Sequence, residues 1–443
     1  MKRLLFICIV SMFFTSGCTL KETAQLKAQG SQPNIIIILT DDMGYADVSC
    51  YDHSEEVNTP NIDKIAQAGV LFTDGYVSGL QCAPTRAGLL SGKYQQRFGF
   101  YHNRDVFDKV FLPQVTLPQV LKKYGYTTGM IGKWHLGRGS EEEYPYKRGF
   151  DEFYGFLTGM RGYLKPAPNS PLMKNAKRVE EKYGYLTDFL NREAVSFVER
   201  QSGENPFFLY VAYNAPHYPL EAKEEYIKKY NTGNPDRDRQ LAMMASVDEG
   251  VGQIIDTLKK NKQFDNTLIF FLSDNGGEPK RGADSGKLRE GKNSVYEGGP
   301  RVPFTVSWPA KIPPGQIITQ PVISLDIFAT SVAAAGGGMP KDVVFDSKNM
   351  LPLLSGETTD ALHDALFWQQ KSTAWAVRRG SWKLVHMKPK KKTEDDIYEL
   401  YNLRDDIGER VNLASKNPAL VEELKIRFQG WKKQMKQKEL RGR

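Results

Sequence analysis

Short apolar runs that end abruptly in polar side chains constrain the fold of this chain more than any other feature. Each run has the length of a β-strand, and the first is rich in β-branched residues. The runs are Ile35–Leu39, Thr127–Ile131, Phe207–Tyr213 and Leu268–Leu272. The helical candidates between them are Asn61–Ala68, Leu117–Tyr124, Leu186–Arg200 and Gln240–Lys260. Strands that alternate with helices predict an α/β fold, with a mainly parallel sheet and helices on both of its faces.

A polar cluster follows each of these predicted strands at the point where the strand ends. In an open α/β sheet, ligands bind outside the carboxyl ends of the strands. We therefore expect the clusters to meet on one edge of the sheet, although they are far apart in the sequence. They supply Asp41 and Asp42, Lys133 and His135, His217, and Asp274 and Asn275.

Four side chains of these clusters offer oxygen ligands. Hard divalent cations prefer oxygen, and Ca²⁺ takes about six to eight such ligands. A single Asp-Asp or Asp-Asn-Gly segment is usually a turn or a helix cap. Because two such segments are expected at one sheet edge, the sequence predicts a metal site. Its protein ligands would be Asp41, Asp42, Asp274 and Asn275.

Two of the six histidines stand apart by their position in the sequence. Lys133 and His135 are two residues apart, which in an extended segment places both on one side and Trp134 on the other. His217 follows Pro216 in a loop that leaves another predicted strand. A lone histidine is more often structural, and that is the expectation for His53, His102, His363 and His386.

The segment from Cys82 to Arg86 places a cysteine at the start of a predicted helix. Pro84 lies in the first turn, where proline is tolerated. The free N–H groups and the dipole at such a helix end favour an anion or a thiolate. Taken alone, Cys82 would be a buried free thiol. The four cysteines of the chain are too few for a disulfide scaffold, and no bridge is predicted.

Length and charge bound the remaining possibilities. The 443 residues allow two or three domains of about 150 residues each, or one large α/β unit with an appendage. The 60 basic residues exceed the 52 acidic ones only slightly, which does not indicate a nucleic-acid partner. Beyond Leu325, short antiparallel strands are predicted, with Leu420–Met435 as a closing amphipathic helix, so we expect a smaller α+β C-terminal subdomain. The strands are Leu366–Trp368, Trp375–Arg378, Trp382–His386 and Ile397–Tyr401.

The N-terminal segment has the features of a bacterial export signal. Lys2 and Arg3 precede an apolar run from Leu4 to Phe14, which is too short to span a bilayer. Gly17-Cys18 resembles a lipobox, in which the cysteine is acylated and becomes the new N-terminus. We expect a protein of the periplasm or outer membrane that is attached to the membrane only by a lipid at Cys18. A plain signal peptide that is cut nearby is the alternative.

One segment and its sequel resemble a known family. Cys82-x-Pro84-Thr85-Arg86, followed by Gly92-Lys93-Tyr94, is similar to the signature of the type I sulfatases, with Thr85 where serine is more usual. The other clusters agree with that family in kind and order. They are Asp41-Asp42-Met43-Gly44-Tyr45, Gly132-Lys133-Trp134-His135-Leu136-Gly137, Ala215-Pro216-His217, Ser273-Asp274-Asn275-Gly276, and Gly291-Lys292 before Tyr296-Glu297-Gly298-Gly299-Pro300-Arg301-Val302-Pro303.

This resemblance implies an alkaline-phosphatase-like fold and a division of the chain. The expected parts are 1–18 for the signal peptide with its lipobox, 19–32 for a tether, 33–335 for the catalytic sulfatase domain and 336–443 for the C-terminal subdomain. It also implies that a maturation enzyme oxidises Cys82 to formylglycine. The hydrated aldehyde would attack the sulfur of a sulfate ester, release the alcohol and then expel sulfate.

The resemblance assigns roles to the surrounding residues as well. One Ca²⁺ ion would be held by the four oxygen ligands named above. Arg86 would hold the gem-diol formed by hydration of the aldehyde, and Lys133 and Lys292 would bind sulfate oxygens. His135 would act as the base, and His217, shared with Lys292, would act as the acid that protonates the leaving oxygen.

The expected substrate is a sulfated glycan, because an envelope lipoprotein meets polymers and their fragments. By resemblance, the segments 101–104 and 280–281 lie near the cleft, where they would contact sugar or form variable surface loops. One alternative is a phosphodiesterase or phosphonate monoester hydrolase of the same superfamily. Another is a non-catalytic, sulfoglycan-binding lipoprotein whose Cys82 is never oxidised.

Overall fold

The computed structural model describes residues 32–51, 55–180, 183–201, 203, 205–389 and 395–436. The predicted signal peptide, Cys18, His53 and nearly all of the tether lie outside the described residues. Within the described ranges, no helix combines the length and the apolar character needed to cross a bilayer.

The strands run in chain order as follows. They are β1 Asn34–Thr40, β2 Gly69–Phe72, β3 Gly75–Tyr76, β4 Thr127–Lys133, β5 Glu152–Phe156, β6 Met173–Lys174, β7 Lys177–Arg178, β8 Phe207–Ala212, β9 Thr267–Ser273, β10 Phe304–Ser307, β11 Gln316–Ile318, β12 Val322–Ile323, β13 Leu366–Gln370, β14 Ala374–Arg379, β15 Trp382–Met387 and β16 Ile397–Asn402.

The α-helices lie between and after these strands. They are α1 Pro60–Gln67, α2 Cys82–Ser91, α3 Leu117–Lys122, α4 Leu186–Arg200, α5 Glu224–Ile227, α6 Pro235–Lys260, α7 Asp326–Ala334, α8 Leu351–Leu354 and α9 Pro418–Lys436. Short 3₁₀ turns connect several elements, among them Asn103–Asp108 and Pro279–Arg281.

A large mixed sheet organises most of the described residues. Its strand order is β11-β2-β10-β9-β1-β8-β4-β5-β6-β7, and the central strands β9, β1, β8, β4 and β5 are parallel to their neighbours in this group. Ile37 of β1 lies opposite Tyr210 of β8 and Phe270 of β9. All four predicted strands are present, and the predicted mainly parallel sheet is confirmed.

Both faces of the central sheet are covered, which is why its strands read as unbroken apolar runs. Alternate residues of β1 belong to opposite cores: Ile37 packs on one face with α2, α3 and α7, and Ile38 packs on the other with α1, α4 and α6. The polar residues that follow the strands lie at the edge of the sheet, outside both apolar cores.

One helix begins earlier than predicted. Helix α6 starts at Pro235 rather than at Gln240, because Asn234 caps it by accepting from the backbone N–H of Asp236 at 3.0 Å and of Arg237 at 3.4 Å. Its first turn is polar, so the apolar periodicity used for the prediction does not reach it.

The C-terminal part contains a separate antiparallel sheet of β13, β14, β15 and β16, as predicted. Trp368 and Leu384 of this sheet pack with Phe428 of the closing helix α9 in a core of their own. The division between residues 335 and 336 stays a prediction. Met350 and Leu354, which lie beyond it, pack in the core of the large sheet.

Candidate active site

The predicted polar clusters emerge side by side at the carboxyl ends of the central strands. Strands β1 and β9 pair in register up to Thr40 and Ser273, so Asp41 and Asp274 follow at neighbouring positions. The clusters after β8 and β4 join them on the other side of β1. The edge of the sheet thus brings together side chains that the sequence keeps far apart.

Cys82 lies within this group, at the first residue of α2. Single ligand atoms of Asp41, Asp42, Cys82 and His217 all lie within 4.8 Å of one another. Cys82 is buried and unpaired, and Cys50 is the other free cysteine among the described residues. A thiol at the start of a helix is thereby aimed at two carboxylates and an imidazole.

The helix start alone does not make Cys82 a thiolate. Burial raises the pKa of the Cys82 thiol well above its ordinary value, and the negative charge of Asp41 raises it further. These effects outweigh Lys133 and Lys292, which lower the pKa. The unmodified side chain is therefore a buried neutral thiol.

Neighbouring loops hold the start of α2 in place. The backbone N–H of Ala83 donates to Asn103 Oδ1 at 3.0 Å, and Asn103 N–H donates to Gln81 Oε1 at 3.0 Å. On the other side, the N–H of Asn293 donates to the carbonyl of Leu80 at 3.1 Å. The nucleophile position is fixed relative to the loop that carries Lys292.

Arg86 lies one turn along α2 and is fully buried. Its Nε donates to Asp274 Oδ2 at 2.8 Å, and its Nη1 donates to the carbonyl of Lys133 at 2.8 Å. Asp41 Oδ2 lies 3.7 Å from Nη2. Arg86 therefore ties the helix to the ends of β4 and β9.

The three carboxylates and Asn275 leave oxygen atoms without donors. Among the described residues, the buried Asp41 Oδ1 and Asn275 Oδ1 have no hydrogen-bond partner. Asp274 Oδ1 has only the N–H of Asp42, at 3.4 Å. Unpartnered buried oxygens are costly, and a hard cation would satisfy them. The residues present fit a Ca²⁺ ion.

The charges of these acids influence one another. Burial raises the pKa of Asp274 to about 7, and the neighbouring Asp41 carboxylate adds to the rise. Asp41 itself has its pKa lowered despite burial, because Lys133 pairs with it. The two acids therefore differ in pKa because of burial and of the charges that surround each of them.

Two lysines lie against the same acids. Lys133 donates to Asp41 Oδ2, and Lys292 donates to Asp42 Oδ2 at 2.6 Å. Burial lowers the pKa of Lys292, but the carboxylates of Asp42 and Asp41 outweigh it and raise that pKa above its usual value. Both ammonium groups are therefore positioned beside Cys82, where an anionic substrate would bind.

The segment after β4 differs from the predicted extended geometry. His135 has a φ of 57°, in the left-handed region, so the backbone is not extended at this residue. Lys133 and His135 nevertheless lie close enough to influence each other, while Trp134 packs in the core. Trp134 is buried and donates from Nε1 to the carbonyl of Glu143 at 2.8 Å. A Cβ on Gly159 would lie 2.4 Å from the His135 ring, so only glycine allows this approach.

The electrostatics of His135 favour a neutral imidazole. Burial lowers its pKa well below the ordinary value, and Lys133 and Arg86 lower it further. Its Nδ1 is buried and has no hydrogen-bond partner among the residues that the structure describes. A neutral ring with an available nitrogen can accept a proton.

His217 is oriented from both sides. Its Nδ1 lies 2.6 Å from the carbonyl oxygen of Tyr218, and its Nε2 lies 3.6 Å from Asp42 Oδ2. Tyr163 donates its hydroxyl to the carbonyls of Asn214 and His217, at 2.6 and 2.8 Å. Burial lowers the pKa of His217, while the nearby acids oppose this effect. Nothing in the local sequence around Tyr163 indicated this contact.

A cavity of about 460 Å³ opens beside the two histidines. Asn103 and Arg104 of the segment 101–104 line it, together with His135 and His217. The guanidinium of Arg281 lies 4.1 Å from the ring centre of Tyr218, the residue after His217. The structure thus places part of each expected cleft segment close to an active-site histidine.

The remaining described histidines make structural contacts. His363 Nε2 lies 2.9 Å from Asp326, and His386 Nε2 lies 3.1 Å from Asp396. His102 accepts from the N–H of Arg104 at 3.2 Å and caps the turn that follows.

Comparison with known proteins places the chain in a family. Residues 33–337 match the Sulfatase family, and residues 291–436 match the C-terminal region of N-sulphoglucosamine sulphohydrolase. The chain is 31% identical to the uncharacterized sulfatase YdeN of Escherichia coli, over 89% of this chain and 84% of that protein. It is 34% identical to human N-acetylgalactosamine-6-sulfatase, over 79% of this chain and 71% of the relative.

A solved structure is similar along nearly its whole length. The crystal structure of Ps i-CgsB in complex with k-i-k-neocarrahexaose superposes with a TM-score of 0.85 at 36% identity. The match covers 92% of this chain and 94% of that one. The expected fold is thereby confirmed, and this chain belongs to the sulfatase family of sulfuric ester hydrolases.

Proposed function

We propose that this protein hydrolyses sulfate esters of sulfated carbohydrates, with formylglycine made from Cys82 as the nucleophile and one bound Ca²⁺ ion. The observation that carries the proposal is the position of Cys82, at a helix start within 4.8 Å of ligand atoms of Asp41, Asp42 and His217. The names of two relatives support a sugar substrate, since one is an N-acetylgalactosamine-6-sulfatase and another binds a neocarrahexaose.

The metal would be held by Asp41, Asp42, Asp274 and Asn275, whose oxygen atoms include two that are buried and unpartnered among the described residues. When bound, Ca²⁺ would supply positive charge for the nucleophile and for one sulfate oxygen. Lys133 and Lys292 would neutralise the other sulfate oxygens as point charges. Arg86 would hold the helix that begins at Cys82 in a fixed position relative to the acid cluster.

Two histidines would move the protons. The hydrated aldehyde would supply one hydroxyl as the nucleophile and a second whose proton must leave before sulfate is expelled. His135 suits the base that takes this proton, because its ring is neutral. His217 would protonate the leaving oxygen, shared with Lys292. A bound sulfate ester adds negative charge beside His217, and this charge favours its protonated form.

Export and maturation complete the proposal. The N-terminal features support transport to the periplasm or outer membrane, with a lipid on Cys18 as the only membrane attachment. A formylglycine-generating enzyme would be the partner that modifies Cys82. No nucleic-acid partner is proposed, since the slight excess of basic residues does not require one.

Matched ester substrates test this function. Protein made in a host with the maturation enzyme is assayed with 4-methylumbelliferyl sulfate and the corresponding phosphate, with and without Ca²⁺. We expect the sulfate to be the better substrate and Cys82→Ala to abolish its turnover. Cys50→Ala is the matched control, since Cys50 is also unpaired and its thiol pKa is also raised by burial.

Other outcomes would support the alternatives. Faster turnover of a matched aryl phosphodiester or phosphonate monoester than of the sulfate would favour a phosphodiesterase or phosphonate monoester hydrolase. Protein that carries the aldehyde but cleaves neither ester nor any sulfated sugar, while binding such sugars, would favour the non-catalytic binding lipoprotein.

A further inference from the structure

The cavity beside His135 and His217 carries two arginines that the proposed mechanism does not use. Arg104 and Arg138 line this space of about 460 Å³, and both are exposed. Neither guanidinium has an ion-pair partner in the part of the chain that the structure describes. Their positive charge is therefore available to a molecule that enters the cavity.

The backbone holds each arginine close to an active-site residue. Arg104 follows Asn103, whose side chain accepts from the N–H of Ala83 at 3.0 Å, next to Cys82. Arg138 lies three residues beyond His135 in the same connection after β4. The two arginines thus belong to different segments, and each segment also positions a reacting group. The fold therefore fixes where the backbone of each arginine lies relative to the reacting centre.

Apolar surface lies between these charges. Phe107 is 63% exposed and Met160 is 53% exposed, and both line the same cavity. The guanidinium carbon of Arg138 lies 5.8 Å from the ring centre of Phe107, which aligns the charge with an open aromatic surface. A sugar ring presents C–H groups to apolar surface, and its sulfate or carboxylate groups pair with guanidinium groups in bidentate geometry.

We propose that this cavity is a subsite for a second oxyanion of the substrate, carried by the sugar next to the one that loses its sulfate. Arg104 and Arg138 bind that group, and Phe107 and Met160 contact the adjoining sugar. The inference rests on the proposed function and narrows its substrate to glycans that carry at least two anionic groups. The second group is a sulfate or a carboxylate, and both present two or more anionic oxygens that can accept from one guanidinium group.

Binding measurements test the subsite without relying on turnover. The full chain with Cys82→Ala and bound Ca²⁺ is titrated by calorimetry with three probes. These are a neocarrabiose with one sulfate, a neocarrabiose with two sulfates, and a chondroitin disaccharide with one sulfate and one carboxylate. We expect at least one two-anion probe to bind about tenfold or more tightly than the one-anion probe, since each charge-assisted hydrogen bond to a guanidinium group contributes about that factor. The preferred probe identifies the second group.

Arginine variants then assign the preference to the cavity. Arg104→Gln and Arg138→Gln should each reduce the ratio of the two affinities, and the double variant should bring it to about one. Arg192→Gln is the matched control, because Arg192 is also exposed and also lies over an aromatic ring, that of Phe189. The control should keep the ratio of the parent protein.

Two results would overturn the inference. One is equal affinity, or no measurable binding, for all three probes. The other is a preference that survives the double variant unchanged. Failure of the proposed function is distinguishable, because it would appear as absence of sulfate ester turnover in protein with an intact Cys82, whatever the binding ratios are.

Discussion

Two buried clusters, each with three acidic and three basic side chains, lie in different parts of this molecule. They differ in whether each carboxylate oxygen faces a donor or a cation. The active-site cluster consists of Asp41, Asp42, Asp274, Arg86, Lys133 and Lys292. The seam cluster, between the large sheet and the C-terminal sheet, consists of Asp74, Glu297, Glu409, Arg301, Arg378 and Lys383.

Every carboxylate oxygen of the seam cluster lies against a cation or accepts a hydrogen bond. Glu297 Oε1 lies 2.8 Å from Lys383 Nζ, and its Oε2 accepts from Tyr76 at 2.6 Å and from Arg301 at 3.1 Å. Glu409 Oε1 lies 3.0 Å from the same ammonium without hydrogen-bond geometry, and Glu409 Oε2 accepts from the N–H of Glu297 at 2.6 Å. A buried network in which each acid faces a cation or a donor holds the two sheets together.

The active-site cluster differs because some of its buried oxygen atoms have no partner within the described ranges. Asp41 Oδ1 and the adjoining Asn275 Oδ1 are buried without a hydrogen-bond partner in the described residues. Proteins depart from polar satisfaction chiefly at functional sites. Equal numbers of acids and bases therefore do not separate a structural network from a catalytic one. Among the described residues, the two clusters differ in that Asp41 Oδ1 faces neither a donor nor a cation, whereas Glu409 Oε1 lies 3.0 Å from an ammonium group.

The largest expected effect is on activity, from Asp41→Asn. The amide NH₂ group can occupy the position of Oδ1, where no donor opposes it, but the metal site loses a charged ligand. We expect kcat for an aryl sulfate to fall about a hundredfold to a thousandfold. The unfolding free energy without Ca²⁺ also falls, because the buried Lys133 loses its charged partner, but it falls less than in Glu297→Gln, since the amide oxygen can still accept from Lys133. Wild-type turnover in this variant would contradict the assignment of Asp41 to the catalytic cluster.

Glu297→Gln should have the opposite profile. Both oxygens of Glu297 face donors, so the amide NH₂ group must oppose either Lys383 or Arg301. Breaking one partner of a buried ion pair costs about 3–5 kcal/mol, and we expect that loss in urea unfolding. A loss smaller than that of Asp41→Asn would contradict the assignment of the seam as the structural cluster.

Calcium removal should change the thermal stability through the active-site cluster and not through the seam cluster. A ligand present at about a hundred times its Kd stabilises the folded state by about 2.7 kcal/mol. Chelation should therefore lower the Tm of the wild type and leave that of Asn275→Ala almost unchanged, since this variant loses a ligand without losing charge. Glu297→Gln should keep the full calcium-dependent shift. An equal shift in Asn275→Ala and the wild type would argue against the proposed ligand set.

The smallest expected effect is on pH dependence. Burial, reinforced by Glu297 and opposed by Lys383, raises the pKa of Glu409 from 4.5 to about 7. A raised pKa gives stability that is complete below pH 4.5 and is lost as the pH rises to about 7. With saturating Ca²⁺, the wild type should lose about 1–3 kcal/mol more than Glu409→Gln between pH 5 and pH 8. Parallel unfolding curves in urea across that range would contradict this.

The strand-end residues were predictable because their signals are local. An apolar run such as Ile35–Leu39 followed by Asp41 and Asp42 marks a buried strand and its exit. Pro84 marks the first turn of the helix that begins at Cys82. The topology then gathers these positions through general rules for parallel sheets.

Other parts of the site depend on contacts between distant segments. The left-handed backbone of His135 and its approach to Gly159 have no signature in spacing. Tyr163 orients His217 from a loop that has no regular pattern. The seam could not be predicted either, because a charged residue such as Lys383 within a strand resembles an exposed position until its partners are known.

Peptide mass spectrometry of the segment around Cys82 shows directly whether Cys82 becomes formylglycine. The protein is isolated from its native host, and Cys50 serves as the internal control in the same digest. We expect the mass of an aldehyde in place of the thiol at Cys82 and an unmodified thiol at Cys50. An unmodified thiol at Cys82 in protein from the native host would contradict this expectation.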